Sequence, residues 1–325
     1  MRFFLIFLCF CCFDLLGQYP PAAGQAGSTA LYKDSSCFVA WATSCNIIRG
    51  YQQINDTTLG LANVGDSSMA LGNAGTNGVV SLGDGGSAVL GFSQPIINGI
   101  GWDFAVFENS FLDNFLELAF VEVSSDGINF FRFPSVSLTD TLTQVDGFGL
   151  LDPTKINNLA GKYRVFYGTP FDLEEMKNII GLDVNNITHI RIIDVVGSIN
   201  PLYASRDSEG NIINDPWPTP FPSSGIDIDA IGVIHQKPLS VNNNNSLSLK
   251  IFPNILQKGS QLNFVSSASG NYQMKIFSIS GAMIFQETIY IREGVNRLNI
   301  DLNDGMYILS LKNQITNTYE KFVVK

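Results

Sequence analysis

Short apolar runs, bounded by glycine, asparagine, aspartate or serine, recur along most of the chain. Runs of this kind, rich in valine, isoleucine and phenylalanine, predict β-strands. The clearest are GVVSLG, SAVLGF, FAVFEN, LAFVEVSSDG, HIRIIDVVG and IDIDAIGVI. Because many short strands separated by turn signals favour two packed layers, the pattern predicts an all-β fold, an antiparallel β-sandwich.

Turn and helix signals between the runs refine this prediction. Asp84-Gly85-Gly86 and Asp126-Gly127 supply the backbone freedom of tight turns, and each predicts a β-hairpin. The clearest helical segment is TPFDLEEMKNIIG, residues 169–181, in which Thr169 is the predicted cap. We therefore expect one short helix in a domain otherwise made of strands.

The start of the chain and one polar run divide it into segments. Residues 1–17 combine Arg2 with an apolar stretch too short to span a membrane, which predicts a signal peptide. An asparagine- and serine-rich run at 239–247 predicts a linker. It would separate a β-sandwich surface domain over 18–238 from a small β-sandwich over 248–325. No transmembrane segment is expected in the mature chain.

Charge changes the picture in two ways. The net charge of −10 disfavours nucleic acid as a partner, because phosphates bind Lys and Arg.

Carboxylates also interrupt several apolar runs, where an unpaired buried charge is costly. They face solvent, pair with Arg132 or Arg191, or bind a metal. These carboxylates are Asp103, Glu108, Glu122, Asp194, Asp227 and Asp229.

Four of these carboxylates predict a calcium site. Asp227 and Asp229 are two residues apart, so they project from one face at the start of the last strand of the large domain. Asp103 also lies at the start of its strand. Since a hard cation requires oxygen ligands, we expect calcium on Asp227 and Asp229, with help from Asp103 or Glu108. Zinc is disfavoured because histidine and cysteine are scarce.

Cysteine and histidine offer little further chemistry. Cys37 and Cys45 remain after removal of the signal peptide. In an exported protein such a pair predicts a disulfide, and two free buried thiols are the alternative. His189 and His235 lie next to or inside apolar runs, and no tight catalytic signature is visible.

The segment 198–225 lies between two predicted strands, and loops of this length are usually functional or disordered. Several prolines stiffen it. It carries Tyr203, Trp217 and Phe221, whose flat apolar faces suit stacking on sugar rings. The segment therefore predicts a binding rim, with simple packing of these aromatics onto the sandwich as the alternative.

The last part of the chain contains KIFPN, MKIFSISGAMIFQ, LNIDLNDGMYILSLKN and EKFVVK, in that order. These motifs resemble the C-terminal sorting domain of type IX secretion cargo. The resemblance implies a small Ig-like β-sandwich, the type IX secretion machinery as partner, and a secreted or cell-surface location outside a Gram-negative outer membrane. The sorting-motif residues that it assigns are Phe252, Pro253, Asn254, Gly305, Tyr307, Lys321 and Lys325.

The large domain, through segments such as DFAVFENSF, LAFVEVSSDGINFFRF and NDPWPTPFPSSG, resembles an uncharacterised family of bacterial cell-surface β-sandwich proteins. VEVSSDGINFFRF and IDIDAIGVI are also similar to strand pairs of jelly-roll carbohydrate-binding domains. These resemblances imply a jelly-roll-like sandwich that binds a glycan or other extracellular ligand without catalysis. A carboxylate-based glycan-active enzyme and a purely structural or adhesive surface protein are the alternatives.

Overall fold

The computed structural model describes residues 19–238, 248–313 and 317–325. The predicted signal peptide, 1–17, and the predicted linker, 239–247, lie outside these ranges. The chain divides into two compact units, Met1–Pro238 and Leu239–Lys325. Each unit is described separately below, and the described parts of both consist mainly of β-strands.

The first unit is a two-layer sandwich. One layer is a six-stranded antiparallel sheet of β1 (Leu31–Tyr32), β2 (Ala40–Trp41), β4 (Val80–Ser81), β6 (Phe104–Glu108), β11 (Tyr167–Phe171) and β13 (Asp227–Val233). The other is a five-stranded antiparallel sheet of β3 (Ser44–Ile48), β5 (Ser87–Ile96), β7 (Ala119–Ser124), β8 (Phe131–Arg132) and β12 (Ile187–Asp194). β9 (Val136–Ser137) and β10 (Ile156–Asn157) pair with each other.

The strand order is β1-β11-β6-β13-β2 in the first layer, with β4 also paired to β13. In the second layer it is β3-β5-β12-β7-β8. Most neighbours in each sheet are therefore distant in sequence, which is typical of a jelly-roll-like sandwich rather than a meander of consecutive hairpins. The predicted all-β antiparallel sandwich is confirmed.

The main core lies between the two layers, and β6 crosses its centre. Phe104 and Val106 belong to this core, where the Phe104 ring stacks on Phe171 at 5.3 Å between centroids. The alternate residue Phe107 packs on the other face of β6, with its ring 5.5 Å from that of Trp41. Because side chains alternate along a strand, burial on both faces explains why FAVFE is apolar at nearly every position.

Only one of the two predicted hairpins forms. β7 and β8 pair around Asp126-Gly127, with Glu122 opposite Arg132. At Asp84-Gly85-Gly86 the chain instead crosses between layers, because β4 pairs with β13 while β5 pairs in the other sheet. A Cβ on Gly86 would lie 2.1 Å from the carbonyl oxygen of Leu82. Glycine is therefore needed here for close backbone approach at a crossover.

The predicted helix over 169–181 is wrong beyond a single turn. Thr169 lies in β11, which pairs with β6. The first residues of the predicted helix are therefore part of a strand. The helix that forms is the 3₁₀ turn Leu173–Met176, and Asp172 caps it by accepting a hydrogen bond from the Glu174 N–H at 2.9 Å. The other 3₁₀ turns among the described residues are Thr57–Leu59 and Pro153–Lys155.

The second unit is a smaller sandwich. Its three-stranded sheet, in the order β14-β16-β19, contains β14 (Leu249–Ile251), β16 (Leu262–Ser266) and β19 (Gly294–Leu298). Its five-stranded sheet, in the order β15-β21-β20-β17-β18, contains β15 (Ile255–Leu256), β17 (Gly270–Ser278), β18 (Met283–Ile291), β20 (Gly305–Lys312) and β21 (Asn317–Val324). Phe264 of the first sheet and Met274 of the second share one buried core.

Candidate functional site

Several strands of the first unit meet at one end of the sandwich, and buried carboxylates gather there. β13 begins at this end and β6 finishes there, with Ile228 opposite Glu108. β12 also finishes there, where Asp194 accepts the backbone N–H of Ile226 at 2.8 Å. We call this group the acidic cluster: Asp84, Glu108, Glu117, Asp194, Asp215 and Asp227.

Part of the acidic cluster holds the loops in place. Asp194 accepts hydrogen bonds from the backbone of Ile226 and from that of Gly85, at 3.0 Å, so it joins the crossover to the start of β13. Asp215 accepts the N–H of Leu118 at 3.0 Å. These two carboxylates therefore accept backbone N–H groups of residues that lie just outside the strands.

The acidic cluster is electrostatically strained. Burial, together with neighbouring negative charges, raises the pKa of Glu108, Asp194 and Asp215 well above their usual values. Burial also raises the pKa of Asp227 to about 6, although a hydrogen bond from Ser81 and the charge of Arg49 act in the opposite direction. Desolvation outweighs these favourable contacts. The carboxyl groups of the cluster therefore stay protonated to a higher pH than ordinary carboxyl groups.

Two oxygens of the cluster stand out. Oε1 of Glu108 and Oδ1 of Asp215 are buried and have no hydrogen-bond partner among the described residues. The two side chains belong to residues only 1% and 4% exposed. A buried acceptor without a donor is costly, so both oxygens are suited to a proton or a cation.

The predicted calcium residues do not all come together. β6 and β13 run antiparallel, so Asp103, at the start of β6, lies beside the end of β13. It lies five residues from Glu108, a distance of about 17 Å along a strand. Its oxygens already accept hydrogen bonds from Gly99, Leu173 and His235, each at 2.7 Å. The sequence prediction was wrong here because the starts of antiparallel strands lie at opposite ends.

Asp229 also departs from the predicted site. Both of its oxygens accept the backbone N–H of Gly75, at 2.9 and 2.8 Å. Only Glu108 and Asp227 remain near each other, and the charge of Asp227 raises the pKa of Glu108. Among the described residues, no three His, Cys, Asp or Glu side chains are grouped to hold a metal ion.

One loop aromatic, Trp217, contacts the acidic cluster, and three phenylalanines pack against one another. Trp217 is half-buried, and its Nε1 donates to Oδ2 of Asp84 at 3.1 Å. Phe221 is 39% exposed and packs 5.6 Å from Phe148, which is 73% exposed. Phe148 also stacks on Phe115 at 6.5 Å. We call Phe115, Phe148 and Phe221, together with Trp217, the aromatic rim.

Sequence reasoning found only part of this rim. Tyr203 is half-buried in a turn in which its N–H donates to the carbonyl of Asn200 at 2.9 Å, and it has no ring contact with the described aromatic rim residues. Phe148 was missed, although it stands between two glycines in the segment VDGFGL. An aromatic residue flanked by glycines outside any strand pattern is the signal that could have identified it.

The predicted disulfide does not form: Cys37 and Cys45 are both free thiols. Cys45 lies on β3 of the five-stranded sheet and packs against the main core. Cys37 precedes β2, which belongs to the six-stranded sheet. The chain thus passes from one layer to the other between the two cysteines. Burial raises the pKa of the Cys45 thiol to about 11.

In the second unit, the sorting-motif residues close the larger sheet. β15 follows Phe252-Pro253-Asn254 directly and pairs in parallel with β21, which carries Lys321. The N–H of Lys325 donates to the carbonyl of Leu256 at 2.9 Å. Gly305 pairs opposite the end of β21, and the ring of Tyr307 stacks on that of Phe322 at 5.7 Å. Motifs far apart in sequence therefore lie side by side.

A β-sandwich followed by a smaller sandwich closed by its last residues defines a two-domain, all-β protein. Residues 250–325 match the family described as the secretion system C-terminal sorting domain. The tail is therefore a type IX sorting domain, and the protein is exported by type IX secretion to the cell surface or beyond it, in a Gram-negative bacterium. No helix among the described residues is long and apolar enough to cross a membrane.

No curated protein matches the chain. Among solved structures it is similar to a "Biofilm associated protein - BSP domain", at 11% identity and a TM-score of 0.23, covering 90% of this chain and 53% of that one. It is also similar to β-glucuronidases of Parabacteroides merdae (12% identity, TM-score 0.20, 75% and 29% covered) and Ruminococcus gnavus (8%, 0.22, 90% and 46%). The chain spans about half of these chains or less, and overlap this low does not bear on function.

Proposed function

We propose that the first unit is a non-catalytic binding domain that presents the aromatic rim to an extracellular glycan after export. The observation that carries the proposal is the exposed pair Phe148 and Phe221, which lies on loops rather than in the core. Exposed aromatic rings stack on the apolar faces of sugars. The hydrogen bond from Trp217 to Asp84 fixes a further aromatic side chain of the rim.

An enzymatic role is less well supported. Glycoside hydrolysis needs two carboxyl groups that reach the glycosidic bond from either side. The carboxyl groups with strongly raised pKa include Glu108, Asp194 and Asp215, which are 1%, 2% and 4% exposed. A polysaccharide cannot touch them without local opening of the loops. Binding without catalysis therefore agrees better with this arrangement.

Binding of the mature chain to an array of bacterial and host glycans tests the proposal. Phe148→Ala should weaken binding to any glycan that is found by about fivefold, as expected for the loss of about 1 kcal/mol of ring stacking. Tyr290→Ala is the matched control, because Tyr290 is 65% exposed but belongs to the second unit. An array without hits, together with retention on the cell surface, would favour a structural or adhesive role instead.

We also propose that calcium binds at Glu108 and Asp227, with the other ligands supplied by backbone carbonyls or water. The support is the buried, unpartnered Oε1 of Glu108 beside a second carboxylate. Calcium should raise the melting temperature of chelator-treated protein. Glu108→Gln should abolish this rise, whereas Asp229→Asn should keep it, because Asp229 already holds the Gly75 N–H. Equal melting temperatures with and without millimolar calcium would eliminate the site.

A further inference from the structure

The five-stranded sheet of the second unit has one face turned away from the core of that unit. The core residues of β17 are Tyr272, Met274 and Ile276, so the residues between them point outward, because side chains alternate along a strand. The same alternation in β15, β18, β20 and β21 completes a surface that we call the outer face. Its exposed apolar side chains include Ile255, Met283 and Tyr319, and its lysines are Lys275, Lys312 and Lys321.

Large apolar side chains of the outer face are exposed and adjacent. Tyr319 is 57% exposed, Met283 is 55% exposed and Ile255 is 53% exposed. Phe277 lies beside Met283 on one side and beside Ile308 on the other, and both Phe277 and Ile308 are half-buried. Apolar residues scattered singly on a surface need no explanation, but a contiguous apolar surface bordered by polar residues marks an interaction site.

Charge is sorted between the two faces of this sheet. All three lysines of its strands lie on the outer face: Lys275, Lys312 and Lys321. None of them forms an ion pair with another described residue. The two carboxylates of the same strands, Glu287 and Glu320, are aligned with Met274 and Leu309, which point into the core. The strands therefore give the outer face three positive charges and no negative charge.

Lys321 lies within the apolar surface and not at its edge. It is opposite Ile308 across the sheet and two residues from both Tyr319 and Val323 along β21. Covering this ammonium group with an apolar partner is costly, because an unpaired charge loses its hydration. A partner that covers the outer face must therefore place a carboxylate opposite Lys321.

We propose that the outer face docks on an acidic, partly apolar surface of a protein of the type IX secretion machinery. Apolar contact supplies affinity, and carboxylates opposite the three lysines supply orientation, since complementary charges fix the register of an interface and exclude wrong partners. An anionic lipid surface also attracts lysines, but hydrocarbon offers no carboxylate to Lys321 inside the apolar surface. The proposal concerns the second unit alone and does not depend on glycan binding by the first unit.

Photo-crosslinking of the full chain during export, in a bacterium that has the type IX machinery, tests this surface. A benzophenone amino acid in place of Tyr319 should form an adduct with a protein of the machinery, identified by mass spectrometry. The same amino acid in place of Val295 is the matched control, because Val295 is also 57% exposed but lies on β19 of the smaller sheet. This adduct should be lost at Val295. Equal adducts from both positions, adducts only with lipid or with proteins outside the machinery, or no adduct overturn the proposal.

Charge reversal tests the sign of the partner. Lys275→Glu combined with Lys321→Glu should lower the amount of protein outside the cell at least about tenfold, because like charges then face each other across the interface. Glutamine at both positions should have a smaller effect, since it only removes attraction. Arg297→Glu, at an exposed cation on β19, is the matched control and should leave export close to that of wild type.

Unchanged export of the doubly charge-reversed variant, or an equal loss in Arg297→Glu, overturns an acidic partner for the outer face. Equal resistance of the purified variants and wild type to proteolysis shows that the second unit still folds. The adduct at position 319 is formed in a chain that keeps all three lysines, so crosslinking decides the proposal even where a charge-reversed variant misfolds.

Discussion

Asp227→Asn should make the first unit less sensitive to pH. Asp227 is 9% exposed, and its pKa in the folded protein is about 6, compared with 3.8 for an ordinary aspartate. The folded state therefore holds this proton more tightly than the unfolded state. Stability from this group is fully present below about pH 4 and is lost as pH rises through 6.

The size of the effect follows from the shift. A difference of about two pKa units corresponds to about 3 kcal/mol, since one unit is about 1.4 kcal/mol. Most of this loss should occur between pH 4 and pH 7 in the wild-type protein. Asparagine carries no charge and keeps an oxygen that can accept the hydrogen bond from Ser81, so the variant should lack this part of the pH dependence.

Urea unfolding of the mature chain in the presence of a chelator, followed by tryptophan fluorescence, measures this directly. Trp41, Trp102 and Trp217 are the three tryptophans of the chain, and all precede the second unit, so the signal reports on the first unit alone. Glu209→Gln, at an exposed carboxylate, controls for the change in net charge. If the free energy of unfolding falls equally with pH in wild type and Asp227→Asn, desolvation of Asp227 is not the cause.

Three further predictions concern other parts of the chain. Phe171→Ala should destabilise the first unit by about 3 to 5 kcal/mol, measured by the same urea assay, because Phe171 is fully buried against Phe104 and Phe133; a loss under 1 kcal/mol would contradict it. Thiol titration of unfolded, unreduced mature protein should detect both Cys37 and Cys45. If no reactive thiol is detected, the two cysteines form the disulfide after all. Deletion of 248–325 should leave the remainder in the periplasm, and its normal appearance outside the cell would refute this.

The β-sandwich was predictable because strand signals are local. SAVLGF and HIRIIDVVG carry enough β-branched and aromatic residues to mark strands without knowledge of their partners. Which strands pair is a non-local property. The crossover at Asp84-Gly85-Gly86 has the composition of a hairpin, but β4 obtains its hydrogen bonds from β13, far along the chain. The pairing of β11 with β6 also places Thr169 in a strand instead of in the predicted helix.

The candidate sites were less predictable than the fold. Carboxylates in apolar runs correctly indicated buried acidic groups, including Glu108 and Asp227. Which of these carboxylates lie together depends on strand direction. Because β6 and β13 are antiparallel, Asp103 lies at the opposite end of the sandwich from Glu108 and Asp227. Contacts across the five-stranded sheet were hidden from sequence analysis for a similar reason: Ser44, Gly91 and His189 are neighbours only because β3, β5 and β12 lie side by side.

The parallel pairing of β15 with β21 has a consequence for the integrity of the export signal. β15 obtains its pairing partner only when residues 317–324 are present. We therefore expect export to require both segments, Ile255–Leu256 and Asn317–Val324, because loss of either one removes this pairing from the larger sheet.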